Sequence, residues 1–231
     1  MDMSSFLVDA YFTEYELKAK YMMGSSDPES LPLKEVITDL TKYADEPLGY
    51  ALGNGYLPLR EKLFSLYKTV SPNQIAVMNG GEETIYVTMR ALLKAGDEIV
   101  VQMPSYQSLS VVAKEIGCRI TEFRPPFEKD WKFDIELLRS KVGSKTKLIV
   151  LNYPHNPTGA CLTDGDMADI AELCREYGII LIADEMYRFL RLDPSCTDAS
   201  FADVYENAVA LGGFSKTFAS PGLRLGWVAT K

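Results

Sequence analysis

Short apolar runs alternate with longer amphipathic segments from about residue 75 to the end of the printed chain. The runs predict seven β-strands, at residues 75–78, 98–102, 119–123, 147–151, 179–183, 208–211 and 225–229. Several runs are apolar at every position instead of at every second one, which is expected of strands that are covered on both faces.

Four segments between these runs place apolar residues three or four positions apart and predict helices, at residues 83–93, 106–116, 134–141 and 164–177. Gly96, Gly117 and Gly178 follow three of them, where glycine commonly ends a helix. Strands that alternate with helices favour an α/β fold with a mostly parallel sheet. Ligands of such a sheet bind at the carboxyl ends of its strands.

The first 70 residues have a different pattern. Helical periodicity predicts helices at residues 6–22, 33–43 and 58–69. Residues 24–30, which are rich in serine, glycine and proline, predict a turn between the first two.

The composition is that of a globular protein, since 47% of the 231 residues are hydrophobic and 24% are charged. The net charge of −8 argues against nucleic acids and anionic membranes as main partners. No apolar run approaches the ~18–20 residues of a membrane span, and the acidic start is unlike a signal peptide. We therefore expect a cytoplasmic protein without a membrane partner.

The cysteines and the histidine give no sign of a metal site. Cys118, Cys161, Cys174 and Cys196 have no Cys-x-x-Cys spacing, and His155 is the single histidine. We expect no bound metal and four reduced thiols.

A turn of small residues after the strand at 208–211 carries Lys216, and Arg224 follows eight residues later. A lysine in a tight, partly desolvated turn can form a Schiff base with an aldehyde, and a nearby arginine can hold a phosphate through two hydrogen bonds. The pair suggests a site for pyridoxal phosphate. A surface loop with ordinary basic residues is the alternative when the lysine is considered alone.

Two other strand ends carry polar side chains that suit the same cofactor. Asn156 lies in the rigid turn Asn-Pro-Thr-Gly, where its amide can donate to a phenolate oxygen. Asp184 follows the strand at 179–183, where a carboxylate can pair with a protonated ring nitrogen, and Tyr187 could reach the ring oxygen. A plain turn and a helix cap are the structural alternatives. Glu185 is expected to be a surface residue.

The first two strands end in further candidates. Gly80 and Gly81 join the strand at 75–78 to a helix, so backbone amides there can approach a phosphate at the positive helix end. Tyr106 follows the strand at 98–102 and could place its ring against a flat cofactor, with a core tyrosine as the alternative.

These motifs, in this order and spacing, resemble the class I/II aminotransferases, which are fold-type-I pyridoxal-phosphate enzymes. The resemblance covers residues 48–229 and rests on the Asn-Pro-Thr-Gly, Asp-x-x-Tyr and Ser-Lys-(x)7-Arg motifs. It implies a three-layer α/β/α fold around a mostly parallel seven-stranded sheet. It also implies that Lys216 forms a Schiff base with pyridoxal 5′-phosphate and moves the substrate's proton. By the same resemblance, Asp184 pairs with the pyridine nitrogen, and Asn156 and Tyr187 bond the ring's O3′.

The resemblance assigns the remaining cofactor contacts as well. Tyr106 stacks on the ring, and the phosphate is held by Ser215, by Arg224 and by the amides of Gly81 and Glu82.

Two positions depart from the family's pattern. Gly213 stands where the family often has a serine, so one phosphate hydroxyl is missing. Glu82 brings an anionic side chain close to the phosphate, which is unfavourable unless it turns outward or meets a cationic substrate.

The resemblance also implies an assembly and a domain plan. Tyr50 matches a family tyrosine that reaches the phosphate site of a neighbouring subunit, which implies a homodimer. Residues 1–47 would form a helical arm and residues 48–231 the cofactor-binding large domain. The family's small C-terminal domain, with the arginine that binds the substrate's carboxylate, is expected to be absent from the chain. Arg60 or the backbone near Gly24 is an alternative contact for that carboxylate.

The implied function is transfer of an amino group from an amino acid to a keto acid. A lyase or a cyclising synthase on the same fold stays open, because the fold sets the cofactor and not the fate of the carbanion. A chain that binds pyridoxal phosphate without turnover also stays open.

Overall fold

The computed structural model describes residues 6–47, 49–190 and 193–231. The helices of this part of the chain span Leu7–Tyr15 (α1), Leu33–Val36 (α2), Leu57–Leu63 (α3), Gly80–Leu92 (α4), Ser108–Ile116 (α5), Ile135–Arg139 (α6), Asp164–Tyr177 (α7) and Phe201–Val204 (α8). The strands span Ile75–Met78 (β1), Glu98–Gln102 (β2), Arg119–Phe123 (β3), Thr146–Asn152 (β4), Ile180–Asp184 (β5), Ala208–Gly213 (β6) and Gly226–Thr230 (β7). The domain boundary expected at Leu48 lies outside the described residues.

These strands form one sheet in the order β1-β7-β6-β5-β4-β2-β3. β7 is antiparallel to its neighbours β1 and β6, and the other pairs are parallel. In register, Asn152 of β4 lies beside Asp184 of β5, which lies beside Leu211 of β6. The carboxyl ends of these three strands therefore meet at one edge of the sheet.

Helices cover both faces of the sheet. Successive side chains of a strand point to opposite faces, so each buried strand contributes apolar side chains to both layers. Ile149 and Leu151 pack with α7 on one face, whereas Leu148 and Val150 pack with α4 and α5 on the other. All four side chains are buried, and burial of each stabilises the fold by about 1.5–3 kcal/mol. The expected α/β fold with a mostly parallel seven-stranded sheet is confirmed.

Local sequence signals set the ends of α7, which are those predicted. Thr163 caps its first turn: the Thr163 hydroxyl accepts from the Asp166 amide at 3.1 Å, and the Asp166 carboxylate accepts from the Thr163 amide at 2.8 Å. Gly178 ends the helix with φ of 66°, a left-handed conformation that glycine adopts at little cost. Gly117 ends α5 in the same way. Gly96 does not cap α4 as predicted, since it lies in the turn beyond the helix.

The long helices predicted in the first 70 residues are wrong in extent. α1 and α2 are shorter than expected, and neither buries a side chain. Short helices gain most of their stability from tertiary packing, so periodicity alone does not extend them. α3 ends at Leu63 and continues as a 3₁₀ turn, Phe64–Leu66.

The prediction of four reduced thiols is wrong for two of them. The structure joins Cys161 to Cys196 in a disulfide with the Cα atoms 5.6 Å apart, whereas Cys118 and Cys174 are free. The pair is 35 residues apart in the sequence, so no short spacing motif signals it.

Two features are absent from the described residues. No helix among them has the length and apolar character needed to cross a membrane. Within the same residues, no group of three or more His, Cys, Asp or Glu side chains is placed to hold a metal ion.

Candidate active site

The carboxyl ends of β4, β5 and β6 and the first turn of α4 surround a cavity of about 250 Å³. Its wall includes every candidate cofactor residue of the sequence except Tyr50. These are Gly81, Glu82, Tyr106, Asn156, Asp184, Tyr187, Ser215, Lys216 and Arg224.

Lys216 lies in the turn after β6, and its side chain is 22% exposed. Its Nζ donates to the carboxylate of Asp27 and lies 3.3 Å from the Ser26 hydroxyl. The Ala219 amide donates to the Lys216 carbonyl at 3.1 Å and closes the turn. A primary amine is therefore fixed at the cavity by its own turn and by the N-terminal segment.

Asp184 is the last residue of β5 and is buried. Its Oδ1 accepts from the Met186 amide at 3.1 Å, and its carbonyl accepts from Asn152 Nδ2 at 2.9 Å. Burial raises the pKa of the Asp184 carboxyl to about 7, because a low-dielectric environment disfavours the charged form. A cationic group placed in the cavity would favour the charged carboxylate.

Asn156 and Tyr187 come together in the same wall. Asn156 Nδ2 donates to the Tyr187 hydroxyl at 3.2 Å, and this hydroxyl donates to Ser26 Oγ at 2.9 Å. The Asn156 amide donates to Asn152 Oδ1 at 2.8 Å, which fixes the Asn-Pro-Thr-Gly turn against β4. Burial raises the pKa of Tyr187, so its hydroxyl keeps its proton at neutral pH.

His155 anchors this turn from the other side. Its Nε2 lies 2.7 Å from the Pro104 carbonyl, so this nitrogen carries the proton, and its Nδ1 lies 2.6 Å from the Thr158 hydroxyl. Burial lowers the pKa of the imidazole and favours the neutral ring. The histidine thereby joins the loop of Tyr106 to the loop of Asn156.

Glu82 is held by a hydroxyl group at the start of α5. Its carboxylate accepts from the Ser108 hydroxyl at 3.0 Å. Burial raises the pKa of Tyr106, and the nearby Glu82 carboxylate raises it further. The aromatic ring that the sequence placed at the cofactor thus lies in the wall beside the first turn of α4.

Two sources of positive charge meet at one end of the cavity. The first amides of α4 have no partner within the helix, and the guanidinium of Arg224 lies against the same turn. A Cβ atom added to Gly80, whose φ is 81°, would lie 2.6 Å from Arg224 Nη2. Ser215 lines the same cavity. A phosphate would be stabilised by this arrangement.

Met186 accounts for the glycine that departs from the family's pattern. A Cβ atom added to Gly213 would lie 2.6 Å from Met186 Cε, and one added to Gly81 would lie 2.4 Å from it. A serine at position 213 would therefore displace the methionine.

The expectation that Glu185 is a surface residue is wrong. It is 8% exposed and forms an ion pair with Arg188 at 3.2 Å. Its Oε1 accepts from the Ser200 hydroxyl at 3.0 Å and from the Phe201 amide at 2.8 Å. Asp184 and Glu185 are adjacent in sequence, and adjacent side chains at the end of a strand point to opposite faces.

Two residues from the N-terminal part of the candidate list lie elsewhere. Tyr50 is fully exposed and is not part of the cavity wall. Arg60 is buried, and its guanidinium donates to the carbonyls of Gly55 at 3.1 Å and Pro72 at 2.7 Å. These bonds leave Arg60 away from the cavity, so it does not provide the alternative carboxylate contact.

Six residues of the wall were not predicted from the sequence: Ser26, Asp27, Ile85, Asn152, Met186 and Pro221. Asn152 ends β4 and could have been found by the same strand-end argument as Asp184. Asp27 had no such signal, since it is 189 residues from Lys216 in the sequence.

The chemistry of the wall fits pyridoxal 5′-phosphate. This cofactor has an aldehyde, a phosphate, a ring oxygen and a ring nitrogen. The wall offers an amine on Lys216, a guanidinium on Arg224 at a helix N-terminus, and hydrogen-bond donors on Asn156 and Tyr187. The buried carboxyl of Asp184, with its raised pKa, suits a cationic partner such as a protonated ring nitrogen.

The sequence matches the family model for aminotransferase class I and II over residues 19–231. Kynurenine–oxoglutarate transaminase 3 from Bos taurus is 30% identical over 224 residues, which cover 89% of this chain and 49% of the relative. Aspartate aminotransferase from Sulfurisphaera tokodaii is 32% identical over 219 residues, which cover 90% of this chain and 54% of the relative. The chain thus spans about half the length of these curated relatives.

Solved structures show the same similarity. A PLP-dependent aminotransferase from Streptococcus suis aligns with a TM-score of 0.92 at 28% identity, covering 100% of this chain and 63% of the other. Aspartate aminotransferase from Thermus thermophilus with maleate aligns with a TM-score of 0.85 at 26% identity, covering 98% of this chain and 61% of the other.

Proposed function

Since this chain belongs to the aminotransferase class I and II family, we propose that it is the cofactor-binding part of an enzyme that moves an amino group from an amino acid to a keto acid. Members of the family use pyridoxal phosphate. The observation that carries the proposal is the cavity itself. An amine and a guanidinium from the connection between β6 and β7, a buried carboxyl at the end of β5 and a carboxamide from the loop after β4 line one space of about 250 Å³.

When bound, the cofactor supplies an aldehyde that takes up the amino group and a ring that accepts electrons. Lys216 would hold the cofactor through its amine and would serve as the base for the proton on the substrate's α-carbon. Asp184 would keep the ring nitrogen protonated, because a carboxylate and a cation at this buried position favour each other's charge. Asn156 and Tyr187 would donate hydrogen bonds to the ring oxygen.

Ser215, Arg224 and the amides of Gly81 and Glu82 would hold the phosphate. The guanidinium can form two parallel hydrogen bonds to phosphate oxygens, and the N-terminus of α4 adds its positive end. Tyr106, whose hydroxyl lies near the Glu82 carboxylate, would stack on the ring.

A homodimer is part of the proposal. Tyr50 is fully exposed, and several large apolar side chains near it in the sequence are also exposed, including Leu52, Tyr56 and Phe64. A second copy would cover such a surface and receive the Tyr50 hydroxyl at its phosphate site.

The proposed domain plan, with an arm at residues 1–47 and a large domain at residues 48–231, is supported by the exposure of α1 and α2.

The cytoplasm remains our proposal for the location. The free thiols of Cys118 and Cys174 support it, whereas the pairing of Cys161 with Cys196 stands against it. Thiol counting on protein that was alkylated before extraction tests this point: four alkylated cysteines support the cytoplasm, and two contradict it.

Borohydride reduction of the protein with pyridoxal phosphate, followed by peptide mapping, tests the cofactor site. The phosphopyridoxyl group should be on Lys216 and should be lost in Lys216→Ala. A label on another lysine, or no label, contradicts the proposal. Incubation of the protein with an amino acid and an acceptor keto acid should then form a new keto acid; release of ammonia would instead favour a lyase.

A further inference from the structure

Two residues of the N-terminal segment contact the reactive groups of the cavity. The carboxylate of Asp27 accepts from Lys216 Nζ, which also lies 3.3 Å from Ser26 Oγ. Ser26 Oγ in turn accepts from the Tyr187 hydroxyl at 2.9 Å. One corner of the chain therefore engages both the amine and the phenol of the proposed cofactor site.

Asp27 is itself held in place. Its Oδ2 accepts from the Ser25 hydroxyl at 2.7 Å, and its amide donates to the same hydroxyl at 3.1 Å. Four residues further on, the Leu31 amide donates to the Ala219 carbonyl at 2.9 Å, which ties the segment to the loop that carries Lys216. The contact between carboxylate and amine is thus supported from both sides.

Both partners are partly shielded from water, with exposed side-chain fractions of 34% for Asp27 and 22% for Lys216. Burial by itself would raise the pKa of Asp27, but the hydrogen bonds from Lys216 and Ser25 outweigh it and lower the pKa. Asp27 is therefore an anion at neutral pH. A partly desolvated ion pair with a hydrogen bond is stronger than a fully exposed one.

We propose that Asp27 restrains Lys216 before the cofactor binds: its carboxylate holds the Nζ ammonium at the cavity, and capture of pyridoxal phosphate requires Asp27 to release it. The inference rests on the proposed function. Capture forms a C=N bond between Nζ and the aldehyde carbon. Of the three protons on the ammonium, two leave with the aldehyde oxygen as water and one goes to solvent. The product nitrogen no longer has the three N–H donors that engage Asp27 and Ser26.

Asp27→Asn tests this in the cofactor-free protein. The first readout is the rate at which added pyridoxal phosphate is captured, followed by stopped-flow absorbance. The second is the rate at which acetic anhydride acetylates Lys216, followed by mass spectrometry, and it does not involve the cofactor. Both rates should rise about three- to tenfold, because a charge-assisted hydrogen bond of a partly exposed pair is lost. Glu29→Gln is the matched control, since it removes the same charge from an exposed residue of the same segment and should change neither rate.

The two readouts separate the inference from the function on which it rests. The inference would be overturned if either rate, that of acetylation or that of capture, were unchanged or lower in Asp27→Asn. Absence of capture by the unmodified protein would contradict the proposed function alone, and acetylation would still decide whether Asp27 holds Lys216. Asp27→Glu should restore both rates towards those of the unmodified protein.

Discussion

Replacing Asp184 by asparagine should stabilise the cofactor-free protein at neutral and alkaline pH and weaken its binding of pyridoxal phosphate. Burial raises the pKa of this carboxyl from 3.8 to about 7 in the folded protein. Between these two values the folded protein keeps a proton that the unfolded chain has released. Stability therefore falls as the pH rises through this window. Asparagine keeps an oxygen for the Met186 amide and cannot ionise.

The size of the effect follows from the two pKa values. At about 1.4 kcal/mol per pKa unit, ionising Asp184 costs the folded protein about 4 kcal/mol once the pH is above both values. At about pH 5 only part of the window has been crossed, and the cost is about 1.5 kcal/mol. The stability gained by Asp184→Asn should therefore be about 2–3 kcal/mol larger at about pH 8 than at about pH 5.

Urea unfolding of the cofactor-free protein at these two pH values measures the gain. Asp169→Asn is the matched control, because it makes the same substitution at an exposed position of α7. Its effect on stability should be small at both values. A parallel titration with pyridoxal phosphate should show at least about tenfold weaker binding for Asp184→Asn, since a charged hydrogen bond is worth about 1.5–3 kcal/mol.

Two results would refute this reasoning. The same change in stability at both pH values would mean that Asp184 ionises normally in the folded protein. A gain in stability without a loss of cofactor affinity would contradict its proposed place at the ring nitrogen.

The other predictions concern the ion pair behind β5 and the phosphate site. Glu185→Ala should lower the free energy of unfolding by about 3–5 kcal/mol, because it leaves the Arg188 cation buried and unpaired. Urea unfolding measures this loss, with Glu172→Ala at an exposed position of α7 as the control. An equal loss of stability in the control would contradict the prediction. Arg224→Met should weaken pyridoxal-phosphate binding by about 10–100-fold at little change in stability, since two charged hydrogen bonds are lost; an unchanged dissociation constant would remove Arg224 from the phosphate site. Tyr50→Phe should weaken the same binding about tenfold while sedimentation still shows a dimer. A monomer with normal affinity in the unmodified protein would rule out a shared site.

Local sequence patterns were sufficient to predict most elements of residues 75–231. The seven strands and α7 were found from the sequence because each repeats one short-range rule, an apolar run or a capped amphipathic helix. The candidates Lys216, Asp184 and Asn156 were found because each follows a strand, and the carboxyl ends of parallel strands meet at one edge. The extents predicted for α1 and α2 were wrong because neither helix has a core to pack against.

Tertiary structure alone decided how distant parts of the chain meet. The position of β7 between β1 and β6, the disulfide of Cys161 with Cys196 and the burial of Glu185 depend on what lies across the fold. The contact of Asp27 with Lys216 joins residues 189 positions apart. The sequence by itself determined which elements form and which side chains stand at their ends, because backbone geometry and periodicity act over a few residues. It did not determine which distant elements and side chains come into contact, because packing and charge pairing act between surfaces that only the folded chain brings together.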